Sequence, residues 1–399
     1  MKFLWPFKKI DNFATIIGGG TPSTKIEDYF NGTIPWITPK DLSGYSFRYI
    51  ERGALNLTEV GLKKSSAKIL PRNSILFSSR APIGYVAIAK NNISTNQGFR
   101  SLLCNEDLAC PLYIYYVLKY FATHIASSAS GSTFDEISGT QLSKFKLPFP
   151  PILIQKKIAS ILSGYDDFIE NNINRIQMLE KIAQNLYCAW FINFHFPGCK
   201  NTHRYQFSLR KFPKKWKVIK ISELLKKLPS KKKIKKRYYK DTGKIPIIDQ
   251  SRKFIAGYTD DLKSVYDDNL PLIIFGDHTR IIKYVDFPFA RGADGTQILC
   301  SNDKKIPNIF LYYILLNNQI KNEFYSRHYK FLKKKEILLP TYDLIGKFVE
   351  FIEPIRNKIS ILQKKNNYLK NIRNLISLKL ISGEINVSNF DVKLNNKVT

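Results

Sequence analysis

Two segments, each about 40 residues long, constrain this chain more than any other feature. The first starts at Pro151 and continues without a further proline. Its apolar residues Ile158, Leu162, Tyr165, Ile169, Ile176, Leu179, Ile182 and Leu186 recur at three-and-four spacing, which places them on one helical face. The second starts at Thr341 and repeats the pattern with Phe348, Ile352, Ile355, Ile359, Leu362, Leu369, Ile372 and Ile376. At 1.5 Å per residue the first helix would span roughly 55–60 Å, far beyond an ordinary packing helix. Two such helices predict partners in one coiled coil. Asn172 and Asn366 interrupt the apolar series. A buried asparagine in a seam weakens it but fixes register. An antiparallel pair would bring these two together, and that arrangement is expected; otherwise both lie at the solvent edge of ordinary helices. Pro354 is expected to kink or reset the second helix, and Gly383 to stop it.

The remainder of the chain is also duplicated. "NGTIPWITPKDL" (31–42) recurs as "TGKIPIIDQS" (242–251), and "ILFSSRAPIGYVAIAKNNISTNQGF" (75–99) is answered by "IIFGDHTRIIKYVDFPFARGADGTQIL" (273–299). "LYIYYVLKYF" (112–121) pairs with "FLYYILLNNQI" (310–320). Strand, turn, strand and helix follow in the same order in each half, so the prediction is two similar α/β domains, each followed by a long helix. The expected divisions are 1–150 and 201–340 for the domains, 151–200 for the central helix and a linker, 341–385 for the second helix and 386–399 for a flexible tail.

Composition narrows the class of partner. The 399 residues carry 63 Lys+Arg against 32 Asp+Glu, a formal net charge of +31. A field of that sign concentrates polyanions such as nucleic acid or an anionic membrane, although AT-rich coding accounts for part of the lysine. No apolar run long enough for a membrane span or a signal peptide is present, so the expectation is a soluble cytoplasmic protein. Five cysteines without a CxxC pair fit reduced thiols. Cys188, His195, Cys199 and His203 resemble a zinc knuckle only loosely. No close ligand pair precedes them, and a solvated linker without metal is expected there.

The segments "IIGGGTPST…YFNGTIPWITPKDL" (16–42), "ILFSSRAPIGYVAI" (75–88), "STNQGF" (94–99) and "LPFPPILIQKKIASIL" (147–162) resemble the specificity subunits of type I DNA restriction-modification systems, and the likeness runs over nearly the whole chain. The second half departs from it at Ile345, where the family pattern has glutamine. The resemblance implies two target-recognition domains joined by two long antiparallel helices, each domain reading half of a split, asymmetric sequence in double-stranded DNA. The helices would act as a ruler for the unspecified spacer; half-sites on one face of B-DNA lie roughly 34–36 Å apart. It further implies no catalysis by this chain, two methyltransferase subunits and restriction (translocase-nuclease) subunits as partners, and no membrane. S-adenosylmethionine, ATP and magnesium would sit on those partners, with no cofactor here. Alternatives are the specificity subunit of a related methylase-nuclease fusion system and a non-catalytic coiled-coil scaffold that binds nucleic acid.

Independent chemistry is not apparent in the residues. There is no Asn/Asp-Pro-Pro-aromatic tetrapeptide and no G-x-x-x-x-G-K-[ST] phosphate loop. "GGGTPSTK" (18–25) reads as a flexible turn or as a phosphate contact through its amides, Thr21, Ser23 and Thr24. Lys231, Lys232, Lys233, Lys235, Lys236 and Arg237 are candidates for backbone contacts, since phosphates supply affinity without sequence information. Base edges need positioned polar side chains. The candidates are Thr38, Lys40, Arg80, Asn96 and Gln97 in the first domain and Gln250, His278, Arg280, Thr296 and Gln297 in the second.

Overall fold

The computed structural model describes residues 3–128, 136–199, 204–207, 210–226, 228–292, 294–318, 320 and 327–390. The chain forms two compact units, residues 1–173 with 365–399 and residues 174–364. Both junctions fall inside the long helices Ile152–Tyr187 and Tyr342–Ser382, so each helix contributes a stretch to each unit.

In the first unit a five-stranded sheet runs in the order Ala14–Gly18, Arg100–Cys104, Ile75–Phe77, Val86–Ala89, Tyr49–Ile50. Alternate side chains of a strand point to opposite faces. Ile75, Phe77, Ile88 and Leu102 accordingly pack on one side against Tyr113, Ile114 and Val117 of helix Pro111–Ser127 and against Ile158 and Leu162 of the central helix. Leu76, Ala87 and Ala89 pack on the other side with Ile37, Leu42, Ile50 and Phe99. A three-stranded sheet, ordered Leu55–Leu57, Phe30–Ile37, Ser94–Thr95, and an antiparallel pair, Phe7–Lys9 with Lys146–Pro148, also belong to the unit.

The second unit repeats this plan. Its first sheet is ordered Leu225–Lys226, Thr296–Ser301, Leu272–Gly276, Ile282–Val285. Ile273 and Phe275 face helix Asn308–Asn317 and both long helices, whereas Leu272 and Ile274 face Ile248 and Phe289. The parallel pairing of Trp36 and Ile37 with Ser94 and Thr95 recurs as Ile247 and Ile248 with Ala290 and Arg291. One departure is that Tyr49–Ile50 lies parallel to Val86–Ala89, whereas Val265–Tyr266 pairs antiparallel with Phe289–Arg291.

The long helices pair antiparallel within each unit. In the first, Asn172 meets Asn366 and Asp166 meets Arg373; in the second, Glu180 lies 3.9 Å from Arg356. Seven of the sixteen expected seam residues are buried, Ile158, Leu162, Ile169, Phe348, Ile352, Ile359 and Leu362, and seven more are half-buried. Ile182 and Ile372, equivalent positions in the repeat, are instead exposed at 53% and 44%, and buried Ala183 takes the inward place near Ile182. A straight helix drifts against a strict heptad, which rotates these positions outward. The second helix passes through Pro354 without interruption. The flanking Ile352 and Arg356 are buried, and that packing carries the helix across one missing donor. It ends at Gly383, where φ is +85° and the Ile385 N–H returns to the Lys379 carbonyl at 3.0 Å.

The expected solvated linker after the central helix is a packed segment. The helix continues into a π-helical turn, Cys188–Ile192, and Trp190, Phe191, Phe194 and Phe196 bury against Trp216 and Phe348. Four large aromatic residues within seven positions lose too much apolar contact in water to stay solvated. His203 lies outside the described residues. Among the described residues there is no metal-capable group of three His, Cys, Asp or Glu side chains and no helix long and apolar enough to cross a membrane.

Candidate nucleic-acid interface

Each unit presents a loop tip held from two sides by backbone hydrogen bonds. In the first unit the tip follows strand Ile75–Phe77: the Ser79 N–H donates to the Gly98 carbonyl at 2.8 Å, and the Ser79 carbonyl accepts from Ile137 N–H at 3.0 Å. In the second, Asp277 N–H donates to Gly295 at 2.7 Å, and the Asp277 carbonyl accepts from His328 N–H at 3.2 Å. The loop after the neighbouring strand leans on the same glycine. A Cβ on Gly98 would stand 3.0 Å from Pro39, and one on Gly295 would stand 2.7 Å from Gln250 and 2.8 Å from the His278 ring. A side chain at either glycine would push these neighbours back, and Gly295 also has a φ of +80°, which favours glycine.

In the first unit this arrangement brings Thr38, Lys40, Arg80 and Asn96 around one open cleft of about 610 Å³, together with Tyr85. Lys40 is exposed and Arg80 is half-exposed, 3.6 Å from Glu136. The Thr38 hydroxyl is committed to Asp41 at 2.6 Å, and the Asn96 side-chain oxygen to Gly98 N–H at 3.0 Å. Exposed Gln97 contacts the Thr21 hydroxyl, and Ser23 is exposed nearby. The glycine-rich stretch before them is not a loose turn. A Cβ on Gly19 or Gly20 would fall within 2.4 Å of the backbone of Thr95 or Ala67, and the Gly20 N–H is spent on the Thr95 carbonyl at 2.9 Å. A phosphate contact there would fall to Thr21 and Ser23 rather than to that amide.

The second tip is organised by Gln250. Its Nε2 donates to the Asp294 carbonyl at 2.8 Å, its Oε1 accepts from His278 N–H at 3.0 Å, and its own carbonyl accepts from the Thr279 hydroxyl at 2.7 Å. His278 and Gln250 are thus together. Arg280 turns away and donates to the Ile320 carbonyl at 3.0 Å, Thr296 is buried, and Gln297 lies in the sheet opposite Phe275.

The basic segment lies along this unit, pinned by buried Ile234, whose N–H donates to the Arg291 carbonyl at 3.0 Å. Lys231 pairs with Asp267 at 3.1 Å, Lys232 with Asp261 at 2.8 Å, and Lys233 with Asp294. Those lysines hold the three carboxyls below the usual carboxylate range. Lys235, Lys236 and Arg237 are exposed, with Arg237 over the Tyr238 ring at 4.8 Å.

Residues 4–181 match the family described as the type I restriction modification DNA specificity domain. The chain is 35% identical over 96% of its length to the type I restriction enzyme MjaIX specificity subunit of Methanocaldococcus jannaschii, covering 94% of that protein. The chain belongs to the type I restriction enzyme specificity subunits. It is also 32% identical over 40% of its length to the EcoR124I/EcoR124II specificity subunit of Escherichia coli, covering 40% of it. The crystal structure of the type I restriction-modification S subunit from M. genitalium shares the fold, with a TM-score of 0.52 at 17% identity over 95% of this chain and 96% of that one. As a specificity subunit it is the non-catalytic recognition component of such an enzyme.

Several residues that shape the tips of this specificity subunit escaped sequence reasoning. Asp41 accepts the Thr38 N–H and hydroxyl and, through its other oxygen, the Ala54 N–H at 2.9 Å. Thr38 three residues before Asp41 is a helix-start pattern that could have signalled it. Asp277 and Asp294 lie within the repeated strand–turn segment, but no spacing rule marks them. Gln155, the glutamine of the family pattern, is fully buried at the start of the central helix. It accepts from Cys110 N–H at 2.9 Å and donates to the carbonyls of Pro150 and Leu108 at 2.9 and 3.1 Å. Ile345 replaces it in the second half within an apolar core.

Proposed function

We propose that this subunit reads a bipartite, asymmetric sequence in double-stranded DNA and directs methyltransferase and restriction subunits to it. The reading rests on one observation above all: the two units hold their loop tips by equivalent backbone contacts but carry different side chains there, Arg80 with Lys40 and Asn96 in one and His278 with Gln250 and Asp294 in the other. Equivalent frames with unlike side chains suit two unlike half-sites, because base edges are discriminated by donor and acceptor pattern. Residues 1–150 and 201–340 act as the recognition domains. The regions 151–200 and 341–385 act as the ruler, with the Asn172–Asn366 contact fixing its register. Lys235, Lys236 and Arg237 supply backbone affinity. Two methyltransferase subunits and the restriction subunits assemble on this chain in the cytoplasm, and S-adenosylmethionine, ATP and magnesium belong to those partners.

A genome-wide map of methylated bases, in the source strain with and without this gene, tests the proposal. A split motif that vanishes on deletion is expected, and it yields both half-sites and the spacer. A motif that persists on deletion overturns the assignment.

A further inference from the structure

The second unit buries a lysine where its repeat partner buries an alanine. Lys283 lies opposite Ile274 in the sheet, as Ala87 lies opposite Leu76. Ala87 sits in a wholly apolar cluster, whereas Lys283 places an ammonium in the interior at 5% exposure. Such a group is tolerated only if its donors are satisfied. Its Nζ lies 2.7 Å from the carbonyl oxygen of Asp249, 2.6 Å from that of Lys253 and 3.4 Å from that of Phe254. These three carbonyls belong to the irregular segment that follows strand Ile245–Ile248. Within that segment the Asp249 carboxylate accepts Ser251 N–H at 2.8 Å. The Tyr239 hydroxyl on that carboxylate at 3.3 Å, the Thr279 hydroxyl on the Gln250 carbonyl at 2.7 Å and the Phe254–Phe287 ring contact hold it from outside, and among the described residues Lys283 alone joins three of its carbonyls. The same segment carries Gln250, whose amide joins the His278 and Asp294 loops.

We propose that Lys283 is a specificity-determining positioning residue: its buried ammonium gathers the carbonyls of Asp249, Lys253 and Phe254, sets the loop that carries Gln250, and thereby fixes the tip with which the second unit reads its half-site. This rests on the recognition function proposed above. The side chain itself is buried beneath the loop, so it acts through Gln250. In the first unit the corresponding loop is organised by the Asp41 carboxylate. The effect of Lys283 is therefore confined to one half-site.

The test uses the full-length chain with Lys283→Met, which keeps most of the unbranched apolar stem and removes the donors. Trypsin at exposed Arg252 and Lys253 reports on the loop, and competition binding against duplexes altered in one half-site reports on recognition. Faster cleavage at those two sites is expected. Discrimination at the second half-site should fall about tenfold or more, while discrimination at the first half-site and affinity for unrelated DNA stay unchanged. Unchanged discrimination at the second half-site, or equal loss at both, overturns the inference. Should Lys283→Met fail to fold, Gln250→Ala at the partly exposed tip carries the test: the same selective loss is expected, and its absence overturns the proposal. A wild-type chain that prefers no duplex would instead contradict the recognition function. Trypsin cleavage would then decide the loop-positioning claim by itself, and unchanged cleavage in Lys283→Met would reject it.

Discussion

The Asn172 amide donates to the Asn366 side-chain oxygen at 2.9 Å, and the Asn366 amide donates in turn to the Ile169 carbonyl at 3.2 Å. Asn366 is 5% exposed, so its polar atoms have no alternative in water. This contact forms only in an antiparallel pair at one register, since a shift of either helix would set an amide against aliphatic neighbours.

Asn366→Ala should destabilise the first unit by about 1–3 kcal/mol, because it strands the Asn172 amide in a partly buried seam. The double replacement Asn172→Leu with Asn366→Leu should raise stability above that of the single variant. Chemical denaturation measures both. A double variant weaker than Asn366→Ala would show that the pair adds net stability as well as register.

Gln155→Leu should cost about 2–4 kcal/mol, since it orphans the Cys110 N–H and removes a donor from the Leu108 and Pro150 carbonyls. Ile345→Leu, the comparable change in the other half, alters only apolar packing and should cost about 1 kcal/mol. Urea midpoints compare the two, and equal losses would contradict a polar role for Gln155.

Replacing Lys235, Lys236 and Arg237 with glutamine should weaken binding to all duplexes alike and lower the slope of log affinity against log salt by up to about 2.7, at about 0.9 per lost phosphate contact. Replacing Lys231, Lys232 and Lys233 should lower it less, because each is already paired with an aspartate. Salt titration of binding distinguishes the two sets, and a larger effect from the paired set would refute this division.

One heptad inserted into each long helix, after Ile173 and before Lys365, adds about 10 Å. If the helices act as a ruler, the accepted spacer should lengthen by about three base pairs with both half-sites unchanged. Methylation mapping of the altered strain reads the spacer directly. A fixed spacer would reject the ruler.

Burial pushes the Lys283 ammonium down to about 8 from an ordinary lysine value of 10.5. Between those two values the unfolded chain keeps a proton that the folded chain has released, so stability from this group rises with pH. Below about pH 8 both states hold it, and the full cost of the buried charge is present. Wild type should therefore gain more stability than Lys283→Met between pH 7.5 and 9.5, as other titrations are common to both proteins. Parallel pH responses in denaturation would contradict a protonated, buried Lys283.

What the amino-acid order determined by itself was the architecture. Three-and-four spacing in two long segments and the same order of apolar strand, turn, strand and helix in two similar halves define what is buried, and burial of those faces leaves few arrangements open. The antiparallel sense was legible from the positions of Asn172 and Asn366 alone. Tertiary structure decided the site. Thr296 and Gln297 are adjacent in the chain, yet one is buried in the sheet and the other is only partly so; Arg280 sits two residues from His278 but turns to Ile320. Gln250, His278 and Asp294 come from three separated segments and meet through single hydrogen bonds. Lysines 231 to 233 found aspartates 29 to 61 positions away. Apolar periodicity is a local, repeated signal that survives in one dimension. Which polar atom satisfies which other is settled only when distant segments share a position in space.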